Sequence, residues 1–142
     1  MISLEATKRF SELTDKCLAA PLSELAECSD AALAQAQQEL EEKEELLRKV
    51  ATLTDTVNRK VASQTSVTFP SLSAIFERNC DDFRKFVQSS CELWLFHQGA
   101  AWDSEAAENF ARIEHIAARI DRIDETVAIY RELLPTDVSR TF

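Results

Sequence analysis

The sequence contains a single glycine and only three prolines in 142 residues. Sheet-rich chains draw on glycine for their turns, whereas a few long helices do not, so this scarcity excludes all-β and α/β architectures. It also excludes a glycine-rich loop that cradles phosphate. Gly99, Pro21, Pro70 and Pro135 act as punctuation between segments. No apolar run approaches the roughly 20 residues of a membrane-spanning helix; the longest is Leu93, Trp94, Leu95 and Phe96. The first residues, with Glu5 and no long apolar core, do not read as a secretory signal. Positive charge is outnumbered, with 16 basic against 25 acidic residues and a net charge of −9. The acidity is spread over both halves, which argues against a nucleic-acid or anionic membrane surface, since both want a basic face. Four cysteines stand at Cys17, Cys28, Cys80 and Cys91 with no CxxC pair. Without a leader, the expectation is four reduced thiols in a cytosolic or nuclear setting, buried as small hydrophobes.

What the sequence does have is helical periodicity. In the stretch from 105 to 134 the apolar residues Ile113, Ile116, Ile120, Ile123, Val127, Tyr130 and Leu134 recur at alternating steps of three and four. This is the heptad seam of a helix that packs lengthwise against other helices. Arg112, Glu114, Arg119, Asp121, Arg122, Asp124, Glu125, Arg131 and Glu132 lie between and give it a solvated back. Asp103 or Ser104 can cap its start, and Pro135 ends it.

Earlier in the chain, Leu33, Ala36, Leu40, Leu47, Val50, Val57 and Val61 follow a heptad that Lys43 and Thr54 interrupt. The i,i+4 pairs Glu39/Lys43, Glu44/Arg48, Glu45/Lys49 and Asp55/Arg59 each add about 0.2–0.5 kcal/mol to a helix there. At 1.5 Å per residue this rod is about 50 Å long. The segment after Pro70 is the most aromatic, with Phe76, Cys80, Phe83, Val87 and Trp94 on one stripe and Leu72, Phe86 and Leu93 beside it. That face is wide enough for more than one neighbour. The fold class expected is all-α: three to four long helices forming a coiled coil or an elongated helical bundle. The helices are expected at about 3–20, 30–63, 71–98 and 104–134 in one domain, with a flexible tail at 136–142.

Candidate chemistry is sparse. Cys80 and Cys91 are three helical turns apart and cannot share a metal within one helix. Neither His97 nor His115 sits in an ExxH or HExxH frame. Cys91 and His97 fall on different sides of their helix, which disfavours a thiol–imidazole pair. Asp81/Asp82 and Asp121/Asp124 lie beside arginines and read as solvated faces. The expectation is therefore no catalytic residue, no metal and no cofactor. Trp94, Phe96 and Trp102 cluster around Gly99 and are either core or a docking patch, because aromatics dominate interface anchors.

The run Ile116-Ala117-Ala118-Arg119-Ile120-Asp121-Arg122-Ile123-Asp124-Glu125-Thr126-Val127-Ala128-Ile129-Tyr130 resembles the closing helix of small subunits of lysosome-positioning and lysosome-related-organelle complexes, the BORC/BLOC type. The resemblance implies a structural role: one strand of a rod-shaped hetero-oligomer on the cytosolic face of an organelle, in trafficking or vesicle positioning.

The function expected from the sequence is a non-catalytic scaffold or adaptor subunit whose partners are other helical proteins. Nucleic acid, membrane insertion and a small-molecule substrate are not expected. The location is cytoplasmic, peripheral on an organelle through partners. The partner-interface candidates are Leu40, Leu47, Val50, Val57, Trp94, Trp102, Ile113, Ile116, Ile120, Ile123, Val127 and Tyr130. A kinetochore or cytoskeletal coiled-coil subunit has the same signature. From a different class comes a self-contained four-helix domain with an aromatic pocket lined by Phe83, Phe86, Trp94 and Trp102.

Overall fold

The computed structural model describes residues 3–98 and 104–142, with the backbone alone for 94–98 and 104. The described residues are 88% helical and contain no strand. Helix α1 spans Glu5–Ala19 and, after a 3-10 turn at Leu22–Glu24, α2 spans Leu25–Gln64. Helix α3 spans Leu72–Gln98, α4 Ser104–Leu133 and the short α5 Thr136–Ser139.

Helices α2 and α4 form the central pair, and α1 and α3 each pack on both of them. The reversal between α1 and α2 occurs at Ala20 and Pro21, both in extended conformation, because proline cannot continue the preceding helix. The core joins Phe10 and Cys17 of α1, Ala32, Ala36, Leu40 and Val50 of α2, and the Ile113, Ile116, Ile120, Ile123 and Val127 seam of α4. Burying each such branched side chain contributes about 1.5–3 kcal/mol.

The two breaks in the α2 heptad have local explanations. Lys43 is drawn across to α4, where its ammonium donates to Asp124 at 2.7 Å. Thr54 is buried, with its hydroxyl donating to the Val50 carbonyl of its own helix at 2.8 Å.

Three expectations are corrected. Cys17 and Cys28 are joined in a disulfide rather than held as thiols. The chain reverses between them, so the end of α1 lies beside the start of α2. The tail is ordered: α5 forms after Pro135, Phe142 packs on the core cluster beneath the Arg131 guanidinium, and Lys49 donates to the Thr141 carbonyl at 2.6 Å. The α4 back is not uniformly solvated, because Asp121 is 2% exposed and Arg119 also lies largely inside.

Candidate functional site

Besides the Lys43–Asp124 pair, buried polar side chains at three levels of α4 tie it to the rest of the bundle. Near its start, the buried Asn109 amide donates to the Ser29 hydroxyl at 3.0 Å and to Asp30 at 2.7 Å, fixing α4 to the first turns of α2. In its middle, Arg119 donates to Glu44 at 3.0 Å, to Asn79 at 2.8 Å and to the Cys80 sulfur at 3.3 Å. Its guanidinium lies 4.5 Å from the centre of the Phe83 ring. One residue pair further, Asp121 accepts the Ala6 N–H at 2.8 Å and the Thr7 N–H at 2.9 Å. A buried ion pair of the Arg119–Glu44 kind specifies how helices meet more than it stabilises them, since desolvation offsets most of its attraction. A second carboxylate borrowed between helices is Asp55 of α2, which accepts the Leu72 and Ser73 N–H groups at 2.8 and 3.1 Å and caps α3.

These interior charges are all engaged in holding helices. The two free thiols, Cys80 and Cys91, are buried. Burial pushes the Cys80 thiol up to about 11, reinforced by Glu44 beside it. Burial likewise raises Cys91, with the nearby Arg112 opposing. A thiol whose pKa is raised by burial stays neutral at physiological pH, and the neutral form is a poor nucleophile. Among the described residues no three metal-ligating side chains converge.

The partner-interface candidates of the two seams fall inside the chain's own bundle. Leu40, Val50, Ile113, Ile116, Ile120, Ile123 and Val127 are buried; Leu47, Val57 and Tyr130 are half-buried. The heptads of α2 and α4 thus close mainly on each other. The side chains of Trp94 and Trp102, with Phe96 and His97, lie outside the described residues, as do Asp103 and the Ser104 side chain. Phe83 and Phe86 do not share a pocket. Phe83 turns inward beneath Arg119, while Phe86 is 56% exposed and meets the His115 ring edge-on at 5.2 Å.

Two kinds of surface remain open. Along the outer side of α3, Ile75, Phe86 and Leu93 are exposed, Leu93 by 58%. Their spacings of eleven and seven residues put them on one helical face. Beside the first half of α3 is a cleft of about 340 Å³ between α2, α3 and α4. Its apolar lining includes Val50, Ala51, Phe76 and Ile123, with Asn79, Arg122 and Tyr130 among its polar members. Sequence reasoning missed this cleft because its wall is assembled from three helices. A wider groove of about 630 Å³ runs between α1 and α4 past Phe10, Phe110 and Ala117, and reaches Ser90 of α3.

No protein family, curated protein or solved structure matches the chain.

Proposed function

We propose that the chain is a non-catalytic helical binding module that engages partner proteins through faces outside its core. The observation that carries this reading is a contrast between two sets of apolar residues. The α2 and α4 seams are consumed internally, while Ile75, Phe86 and Leu93 stand exposed in line along α3. A row of large apolar side chains on a helix face is the pattern that an amphipathic partner helix reads. The inward-facing carboxylates support a non-catalytic role, because they serve as caps and ion-pair partners.

The subunit reading that the 116–130 resemblance implies keeps a separate foothold. Ile129 and Leu133 are exposed one turn apart at the end of α4, where a further helical subunit could lie. The Cys17–Cys28 bridge bears on location. Disulfides persist in oxidising compartments and are rare in the cytosol, so the bridge favours an oxidising setting over the cytosolic face of an organelle.

The test is purification of the tagged chain from its native cell, with co-eluting proteins identified, beside a Phe86→Glu/Leu93→Glu variant. The variant replaces exposed side chains and gives up only the Phe86–His115 edge contact, worth about 0.5–1.5 kcal/mol, so its melt should stay close to the parent's. A fixed set of partners with the parent and their loss with the variant supports the module. A chain that elutes alone from both as a compact monomer overturns it.

A further inference from the structure

The cleft beside α3 has a composition that the packing of the bundle does not require. Its floor, Val50, Ala51, Phe76 and Ile123, is buried and apolar. Its edge carries Ile75, an isoleucine left exposed where a closed core would cover it. Apolar walls with a few polar groups, in a volume of a few hundred Å³, are the usual make-up of a small-molecule site.

The polar groups select the ligand's sign. Arg119 is already committed to Glu44, Asn79 and Cys80. Arg122 is not: its side chain is 70% exposed, and its one ion-pair partner among the described residues is Glu125 on the same helix at 3.3 Å. Exposed pairs of this kind are worth about 0–1 kcal/mol, so the guanidinium is available to a better acceptor. Tyr130 and Asn79 also line the cleft, and each carries a donor, the phenol hydroxyl and the amide nitrogen. All three groups can donate.

The polar groups also limit the ligand's charge. No lysine lines the cleft, and the amides that open α3 are already taken by Asp55. One guanidinium, held only by an exposed pair with Glu125, matches a single carboxylate, which it can grip with two parallel N–H donors. A phosphate ester would carry more charge than these groups neutralise.

We propose that this cleft binds a small amphiphilic monocarboxylate, with its apolar tail over Val50, Ala51, Phe76 and Ile123 and its carboxylate at Arg122. This goes beyond the protein-binding reading and does not depend on it: the ligand lies on the buried floor of the cleft, and of the exposed α3 row only Ile75 borders it.

The test is titration of the isotope-labelled full chain with decanoate at low-millimolar concentration, followed by amide chemical shifts. Decanol and decyltrimethylammonium serve as the neutral and cationic controls. Saturable shifts centred on Ala51, Ile75 and Arg122 are expected. Arg122→Gln should weaken decanoate by at least about tenfold, because the glutamine amide keeps at most one of the two donors and none of the charge. Ile75→Glu sets a like charge on an exposed edge position, where the fold tolerates it, and should remove binding. Absence of saturable shifts overturns the proposal. So do shifts centred elsewhere, decanol binding as tightly as decanoate, or an Arg122→Gln variant that binds like the parent.

Discussion

Asp121 on α4 and Thr7 on α1 are joined twice: one carboxylate oxygen accepts both the Thr7 N–H at 2.9 Å and the Thr7 hydroxyl at 2.6 Å. The other oxygen takes the Ala6 N–H at 2.8 Å. The first turn of a helix leaves its N–H groups without partners and carries partial positive charge. The residue before α1 is Leu4, whose side chain cannot cap. The cap therefore comes from another helix, 114 residues away in sequence from Thr7.

Asp121→Ala should cost about 2–3 kcal/mol, since it strands donors that were bonded to a buried charge. Asp121→Asn should cost less, because one acceptor oxygen survives. A control at the exposed Glu132, Glu132→Ala, should stay within about 0.5 kcal/mol. Urea unfolding of the three variants measures this. Equal effects at 121 and 132 would show that Asp121 does not hold α1.

The disulfide gives a count that needs no structure determination. After denaturation without reductant, a maleimide should label two cysteines, Cys80 and Cys91; after reduction it should label all four. Cys28→Ser should lower stability by about 3 kcal/mol, the range for a short closed loop. Reducing the parent should bring it to the same level. Four labelled thiols in unreduced protein from the native cell would refute the bridge and return the chain to a reducing compartment.

The cap at Asp55 predicts a pH dependence. Partial burial acts to raise its carboxyl, but the bonds from Leu72, Ser73 and Ser71 outweigh it and hold the group below the usual carboxylate range. A depressed pKa means that the stabilisation is complete above the unfolded value of about 3.9 and is lost as pH falls through the folded value. The deficit of Asp55→Asn should therefore be largest near neutral pH, at about 1 kcal/mol, and shrink below pH ~4. Urea melts across that range decide it: a deficit independent of pH would mean that charge plays no part in the cap.

Ile120 distinguishes a seam closed within the chain from one closed by a partner. It is fully buried in the core cluster. Ile120→Ala should cost about 2–5 kcal/mol, and Ile120→Asp should prevent folding of the purified chain, because it buries an unpaired charge. Circular dichroism checks both. A folded Ile120→Asp protein that has merely lost its partners would place the seam at an interface between chains.

The helices were legible in the sequence because each is a periodic pattern over adjacent residues. The α4 seam from Ile113 to Val127 is buried at every expected position. Scarce glycine and well-placed prolines are local signals too, and they set the helix ends near Pro21, Pro70 and Pro135. The candidate sites were less legible. The spacing of α3 marks Phe83 and Phe86 as aromatic neighbours, but only the placement of α4 turns one under Arg119 and leaves the other exposed.

The sequence by itself determined the class of fold and which face of each long helix is apolar. The tertiary structure alone decided that Asp121 is a cap and not a surface charge, that Cys17 meets Cys28, and that a cleft opens beside Arg122. The physical reason is range. Amphipathic periodicity is written into residues three and four apart, whereas a carboxylate's donors, a thiol's partner and the walls of a cleft come from segments that only folding brings together.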